Sequence, residues 1–178
     1  MGLRLHSFFA HSFLEKRYCM IEKYKVELDS KRHPFLVRER GYRYDNVKMD
    51  APEKIVDMVN ECFNLCNMAE EYVYMVALNS AAVVTGVFEV SHGVVNYALI
   101  NPRELYLRAV ISGAVGIVVI HNHPSGDIHP SKEDRAACIR IRDAGDIMGI
   151  ALYDFIIIGH GCYLSFHEES MLSEKTVT

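Results

Sequence analysis

Val115-Gly116-Ile117-Val118-Val119-Ile120 is an uninterrupted apolar run, and it leads without a break into His121-Asn122-His123-Pro124. Successive side chains on a strand point to opposite faces, so a strand apolar at every position has to be covered on both. The run therefore predicts a central strand of a sheet layered by other elements, with the polar residues at the end where the ladder gives out. His121 and His123, one residue apart, point to the same side, with Cα atoms about 6.5 Å apart at strand geometry. Two imidazoles so placed can lean toward one metal ion. Pro124 lacks the N–H that would continue the ladder and ends the strand at once.

The neighbouring segments fit this frame. From Ala51-Pro52-Glu53 a helix pattern opens, with Ile55, Val56, Met58, Val59, Phe63 and Leu65 on a broad apolar face, and it is expected to reach about Met68. Two strand-like runs follow at 72–78 and 82–88 around a turn at Asn79-Ser80, and a third at 94–100. Asn101-Pro102-Arg103-Glu104 then reads as N-cap, first helical residue and capping-box partner of a helix over 102–113, burying Leu105, Ala109 and Val110 or Ile111. After the loop 125–130, Ser131 begins another capped helix, with Glu133 and Asp134 in its first turn and Ala137, Ile141 and Ala144 inward. Ala151 to Ile158 reads as a second buried strand and Cys162 to Phe166 as a short last one. The sum is an α/β chain with a mixed, partly antiparallel sheet flanked by helices.

Zinc requires a third protein ligand, and Asp134 is the best placed, because a helix starting at Ser131 folds back over the strand end and turns its first residues toward the loop. Ser131-x-x-Asp134 is equally a helix-capping pattern, and the two roles are compatible. Two neutral imidazoles and one carboxylate leave residual positive charge, enough to bring the pKa of a bound water to about 7.

Charge and cysteines narrow the function classes. The 178 residues sum to −4, which excludes a global positive field of the kind that draws proteins onto nucleic acid or anionic membranes. The sum is uneven: residues 1–43 carry ten basic and five acidic side chains, and the rest is strongly acidic. Any contact with phosphates is expected in the front quarter. Residues 20–50 lack a sustained period apart from an alternation at 24–28, and read as an arm or edge element. Five cysteines, an odd number without a Cys-x-x-Cys pair, read as reduced thiols of a cytoplasmic protein, with Cys62 and Cys66 on one helix face. The opening MGLRLHSFFAHSFL is too short to span a bilayer, so no membrane role is expected, and Met20 offers a second start.

His121-x-His123-Pro124, followed by Ser131-x-x-Asp134, resembles the JAMM signature of the MPN+ (JAB) zinc metalloproteases, and the strings HNHPSGDIHPSKED and MGIALYDFIIIG are similar to the RadC branch of that family. The resemblance covers roughly residues 51–168. It implies a JAB/MPN, cytidine-deaminase-like fold at 51–172 preceded by a basic extension at 1–50, one Zn2+ held by His121, His123 and Asp134, and a glutamate on an upstream strand acting as general base. Glu71 is the matching position, with Glu70 a near alternative and Glu89 a distant third. Ser131 is implied as a catalytic hydroxyl near the developing oxyanion, and Asn122 and Ser125 as supporting groups. Arg103 is expected only to support its helix start. His92, His129, His160 and His167 are expected in loop or surface roles.

The implied activity is zinc-dependent hydrolysis of an amide, a peptide or isopeptide bond, in a peptide or protein substrate. The competing expectation is a non-catalytic, metal-stabilised binding module acting in DNA repair or on mobile-element DNA. RadC chains usually carry an N-terminal helix-hairpin-helix region, and the first 50 residues here have no hairpin of that kind, which weakens the DNA reading. A nucleobase deaminase would need His-x-Glu followed by Pro-Cys-x-x-Cys, and no Pro-Cys-x-x-Cys occurs. A single metal without a basic cleft favours amide over phosphodiester substrates. Nothing in the sequence specifies an oligomer.

Overall fold

The computed structural model describes residues 18–45, 48–93 and 100–173. Among the described residues seven strands form one sheet: β1 (Cys19–Leu28), β2 (Pro34–Tyr44), β3 (Glu71–Leu78), β4 (Val84–Gly93), β5 (Gly116–Asn122), β6 (Ala151–Ile158) and β7 (Tyr163–Ser165). Their order is β2-β1-β4-β3-β5-β6-β7. The β1/β4 and β5/β6 pairs are parallel and the other four antiparallel, so the sheet is mixed as the residue pattern requires. All seven residues of β5 are buried.

Alternation divides the core in two. Val118 and Ile120 of β5, with Tyr74, Val76 and Leu78 of β3, pack under α1 (Pro52–Phe63) through Ile55, Met58 and Val59. Ile117 and Val119, with Val73, Met75 and Ala77, pack on the other face under α2 (Pro102–Ile111) and α3 (Lys132–Met148), which supply Leu105, Ala109, Ala137 and Ile141. His121 and His123 continue the second series and project toward α3, whereas Asn122 continues the first.

Several local expectations are corrected. The first helix stops at Phe63, not Met68, because Asn64 adopts the left-handed conformation (φ 57°) that asparagine tolerates and a short 3-10 turn follows. Cys66 consequently lies beyond the helix and does not share a face with Cys62. Asn101 does cap α2, accepting from the Arg103 N–H, but Glu104 pairs with Arg103 and Arg108. Val110 faces outward, 53% exposed. Of the two expectations for residues 20–50, arm or edge element, the structure shows the second: the hairpin β1–β2 forms the edge of the sheet beside β4 and adds the fully buried Ile21 and the buried Tyr44 to the α1-side core. The expected strand at 94–100 falls mostly outside the described residues, as do residues 1–17. No helix among the described residues is long and apolar enough to cross a membrane, and no disulfide joins the five cysteines.

Candidate metal centre

The end of β5, the start of β3 and the start of α3 meet at one point. The β3/β5 register pairs Val73 with His121, and continued two residues beyond the ladder it sets Glu71 opposite His123. Antiparallel pairing thus brings a carboxylate fifty residues upstream to the histidine pair. α3 begins at Ser131 with a full capping box: the Asp134 N–H donates to the Ser131 hydroxyl at 3.0 Å, and the Ser131 N–H donates to Asp134 Oδ2 at 2.8 Å. The same Asp134 turns its other oxygen, Oδ1, to His121.

Four side chains therefore converge. His121 Nε2 lies 3.1 Å from His123 Nε2, 3.2 Å from Asp134 Oδ1 and 4.0 Å from Glu71 Oε1, and His123 Nε2 lies 3.7 Å from Asp134 Oδ2. Glu71, His121 and His123 each offer one ligand atom, all within 4.8 Å of one another, a group able to hold a metal ion. His121 and Asp134 are buried, while Glu71 and His123 are each 17% exposed, which leaves the cluster open on their side.

The protonation states follow from the surroundings. His123 Nδ1 is 2.6 Å from the Asp127 carbonyl, which can only accept, so Nδ1 carries the proton and Nε2 presents its lone pair to the cluster. His121 Nδ1 is buried and without a hydrogen-bond partner. Burial works against the Asp134 carboxylate, but the hydrogen bond and charge of His121 and the two donors of Ser131 outweigh it and hold its pKa at about 2. Glu71 goes the other way: burial raises its pKa, reinforced by Asp134 and opposed by the two histidines. Two imidazole nitrogens and carboxylate oxygens that converge on one point are a donor set suited to zinc, and a cation between them fits that convergence.

The Ser131 hydroxyl, expected near a developing oxyanion, donates to Asp134 Oδ2 at 2.5 Å. Its single proton is thus directed to Asp134 Oδ2, the oxygen 3.7 Å from His123 Nε2, while Oδ1 faces His121. Asn122, buried between the two histidines, spans the gap where the β3/β5 ladder ends: its Oδ1 accepts the Tyr72 N–H at 2.8 Å and its Nδ2 donates to the carbonyls of Glu70 and Met68 at 3.0 and 3.3 Å. Both peptide neighbours of Glu71 are tied to β5 in this way. The Ser125 hydroxyl accepts the Asp127 N–H.

The remaining candidates lie elsewhere. Glu70 is exposed and enters the site only through its carbonyl. Glu89, on β4, pairs with Lys23 and His92, each at 2.8 Å. His129 is 88% exposed and paired with Asp127. A cavity of about 390 Å3 at the opposite end of the strands, walled by Met49, Ile55, Leu78, Val118 and Leu152, is remote from the cluster. The one buried carboxylate there, Asp154, is spent on two backbone N–H groups and the Ser165 hydroxyl.

A family model described as the RadC-like JAB domain matches residues 49–171. The chain belongs to the RadC-like JAB domain family. A UPF0758 protein of Clostridium acetobutylicum is 36% identical over 136 residues, 76% of this chain and 58% of that protein. Another from Thermotoga maritima is 36% identical over 75% of this chain and 62% of its own, and one from Clostridium tetani 41% over 59% and 46%. The chain thus spans about half to three-fifths of the length of the curated relatives it matches. The matched RadC-like JAB domain contains Glu71, both histidines, Ser131 and Asp134, but it starts after the β1–β2 hairpin.

Proposed function

We propose that this RadC-like JAB domain is a zinc-dependent hydrolase of peptide or isopeptide bonds in a peptide or protein substrate. The observation that carries the reading is the convergence of His121, His123, Asp134 and Glu71 at the mouth of β5. His121, His123 and Asp134 would hold the metal. Zinc in such a site supplies Lewis acidity, polarising a carbonyl and lowering the pKa of water to about 7.

The chain's own groups divide the remaining work. Asp134 is kept ionised by Ser131 and His121, so it is a ligand and not a proton carrier. Glu71, half-sheltered, with its pKa raised by burial, takes the proton of the attacking water and delivers it to the leaving amine. The Asp127 carbonyl fixes the His123 tautomer, and Asn122 holds the backbone on either side of Glu71.

Elemental analysis of purified protein, with a peptide-library cleavage screen run with and without chelator, tests the reading. The expected result is one zinc per chain and cleavage that chelator removes. His121→Ala and Asp134→Ala should lose the metal, and full occupancy in both would overturn the ligand set. Glu71→Gln should keep the metal and lose cleavage; unchanged turnover would reject it as the base.

A further inference from the structure

On the side of the His123 ring away from the cluster, Nδ1 is held by the Asp127 carbonyl, and that carbonyl belongs to a loop without regular secondary structure. The loop is shaped by the Gly126 N–H donating to the His123 carbonyl at 2.9 Å and by Gly126 itself at φ +81°. Its other support is outside the loop. The turn after β6, closed by the Gly159 N–H donating to the Cys162 carbonyl, lies directly against it. A Cβ built at Gly159 would stand 2.4 Å from the Gly126 carbonyl oxygen and 2.7 Å from Ile128 Cγ2. Real Cβ contacts essentially never come so close, and the first neighbour is backbone and cannot rotate away. Gly159 has no left-handed φ, so space, not conformation, demands glycine there. The residue before it, Ile158, accepts the His123 N–H at 2.8 Å. Backbone and ring of His123 are thus both referred to residues 158–159.

We propose that Gly159 is a positioning residue for His123: its bare Cα lets the β6–β7 turn brace the loop that holds the His123 ring, with Nε2 turned to the cluster. This rests on the metal reading above for its consequence, but not for its geometry. Gly161 supplies the control within the same turn. At φ +70° it is strained by any side chain, yet a Cβ there would meet nothing within 4 Å.

The test uses the full chain and two readouts: zinc affinity by competition with a chromophoric chelator, and the ring nitrogens of His123 by NMR in the metal-free protein. Gly159→Ala should weaken zinc by about tenfold to a hundredfold, the usual cost of losing a ligand's orienting partner, and should abolish the uniform Nδ1–H tautomer. Gly161→Ala should lower thermal stability while leaving both readouts in place. A folded Gly159→Ala with zinc affinity and ring signals of the parent protein overturns the proposal. Should that variant not fold, Ile128→Ala decides. It removes the packing against Gly159 without inserting an atom, and it should weaken zinc several-fold; parental affinity overturns the brace. If the parent protein takes up no zinc at all, the metal reading fails, and the ring tautomer in Gly159→Ala still decides the brace.

Discussion

Replacing Asn122 with alanine is expected to destabilise the metal-free protein by about 2–4 kcal/mol. The side chain is 2% exposed and makes three hydrogen bonds to backbone groups 50 to 54 residues away. Alanine leaves the Tyr72 N–H without an acceptor at the sheet end, at roughly 1–2 kcal/mol, and the Glu70 and Met68 carbonyls without a donor at about half that each, since both residues have some access to water. That is a large share of the roughly 5–15 kcal/mol typical of a domain. The measurement is urea unfolding followed by far-UV circular dichroism in chelator, so that metal linkage does not add to the difference. The midpoint should fall with an unchanged slope, because the surface exposed on unfolding is the same. A loss below about 0.5 kcal/mol, the range of ordinary surface substitutions, would refute the account of Asn122 as a substitute for the missing ladder.

Ser131→Ala removes a helix cap and a donor to Asp134, and should cost about 0.5–2 kcal/mol in urea unfolding as well as weakening zinc in a competition titration. Gly145→Ala lies inside α3, where alanine ordinarily gains about 1 kcal/mol over glycine. Here the new methyl would stand 2.4 Å from the Tyr106 hydroxyl and 2.5 Å from the Ile150 carbonyl, so calorimetry should show a lowered Tm instead. The Tyr106 hydroxyl donates to the Ile141 carbonyl at 2.8 Å, and burial pushes its pKa up to about 12. A raised pKa contributes stability that is complete below the unfolded value of about 10 and is lost as pH climbs toward 12. Tyr106→Phe should accordingly flatten the alkaline fall in stability measured between those pH values.

The elements most legible in the sequence were those whose signal is local. β5 declares itself because burial on both faces leaves no polar position for six residues, and α3 because Ser131 and Asp134 sit three apart. The histidine pair is legible for the same reason. Glu71 is not: a carboxylate at a strand start has no local mark, and only the register of β3 on β5 brings it to His121. The roles of Asn122 and Gly159 depend on segments dozens of residues away and leave no trace in spacing. The β1–β2 hairpin was obscured by its charges. Of its residues only Ile21 is fully buried, and side chains such as Arg38, paired with Glu22, mask the alternation. Ser131 shows the reverse case, where one motif supports two readings and the hydroxyl's single proton separates them.

The cluster also joins two parts of the molecule that differ in how readily they open. His121 is carried by the most enclosed strand of the sheet, which is expected among the last regions to exchange its amide protons. Asp134 is carried by the first turn of a helix, where fraying begins. An ion held between them would leave through the helix end, so its residence time should follow the opening of α3 and not the global unfolding of the sheet.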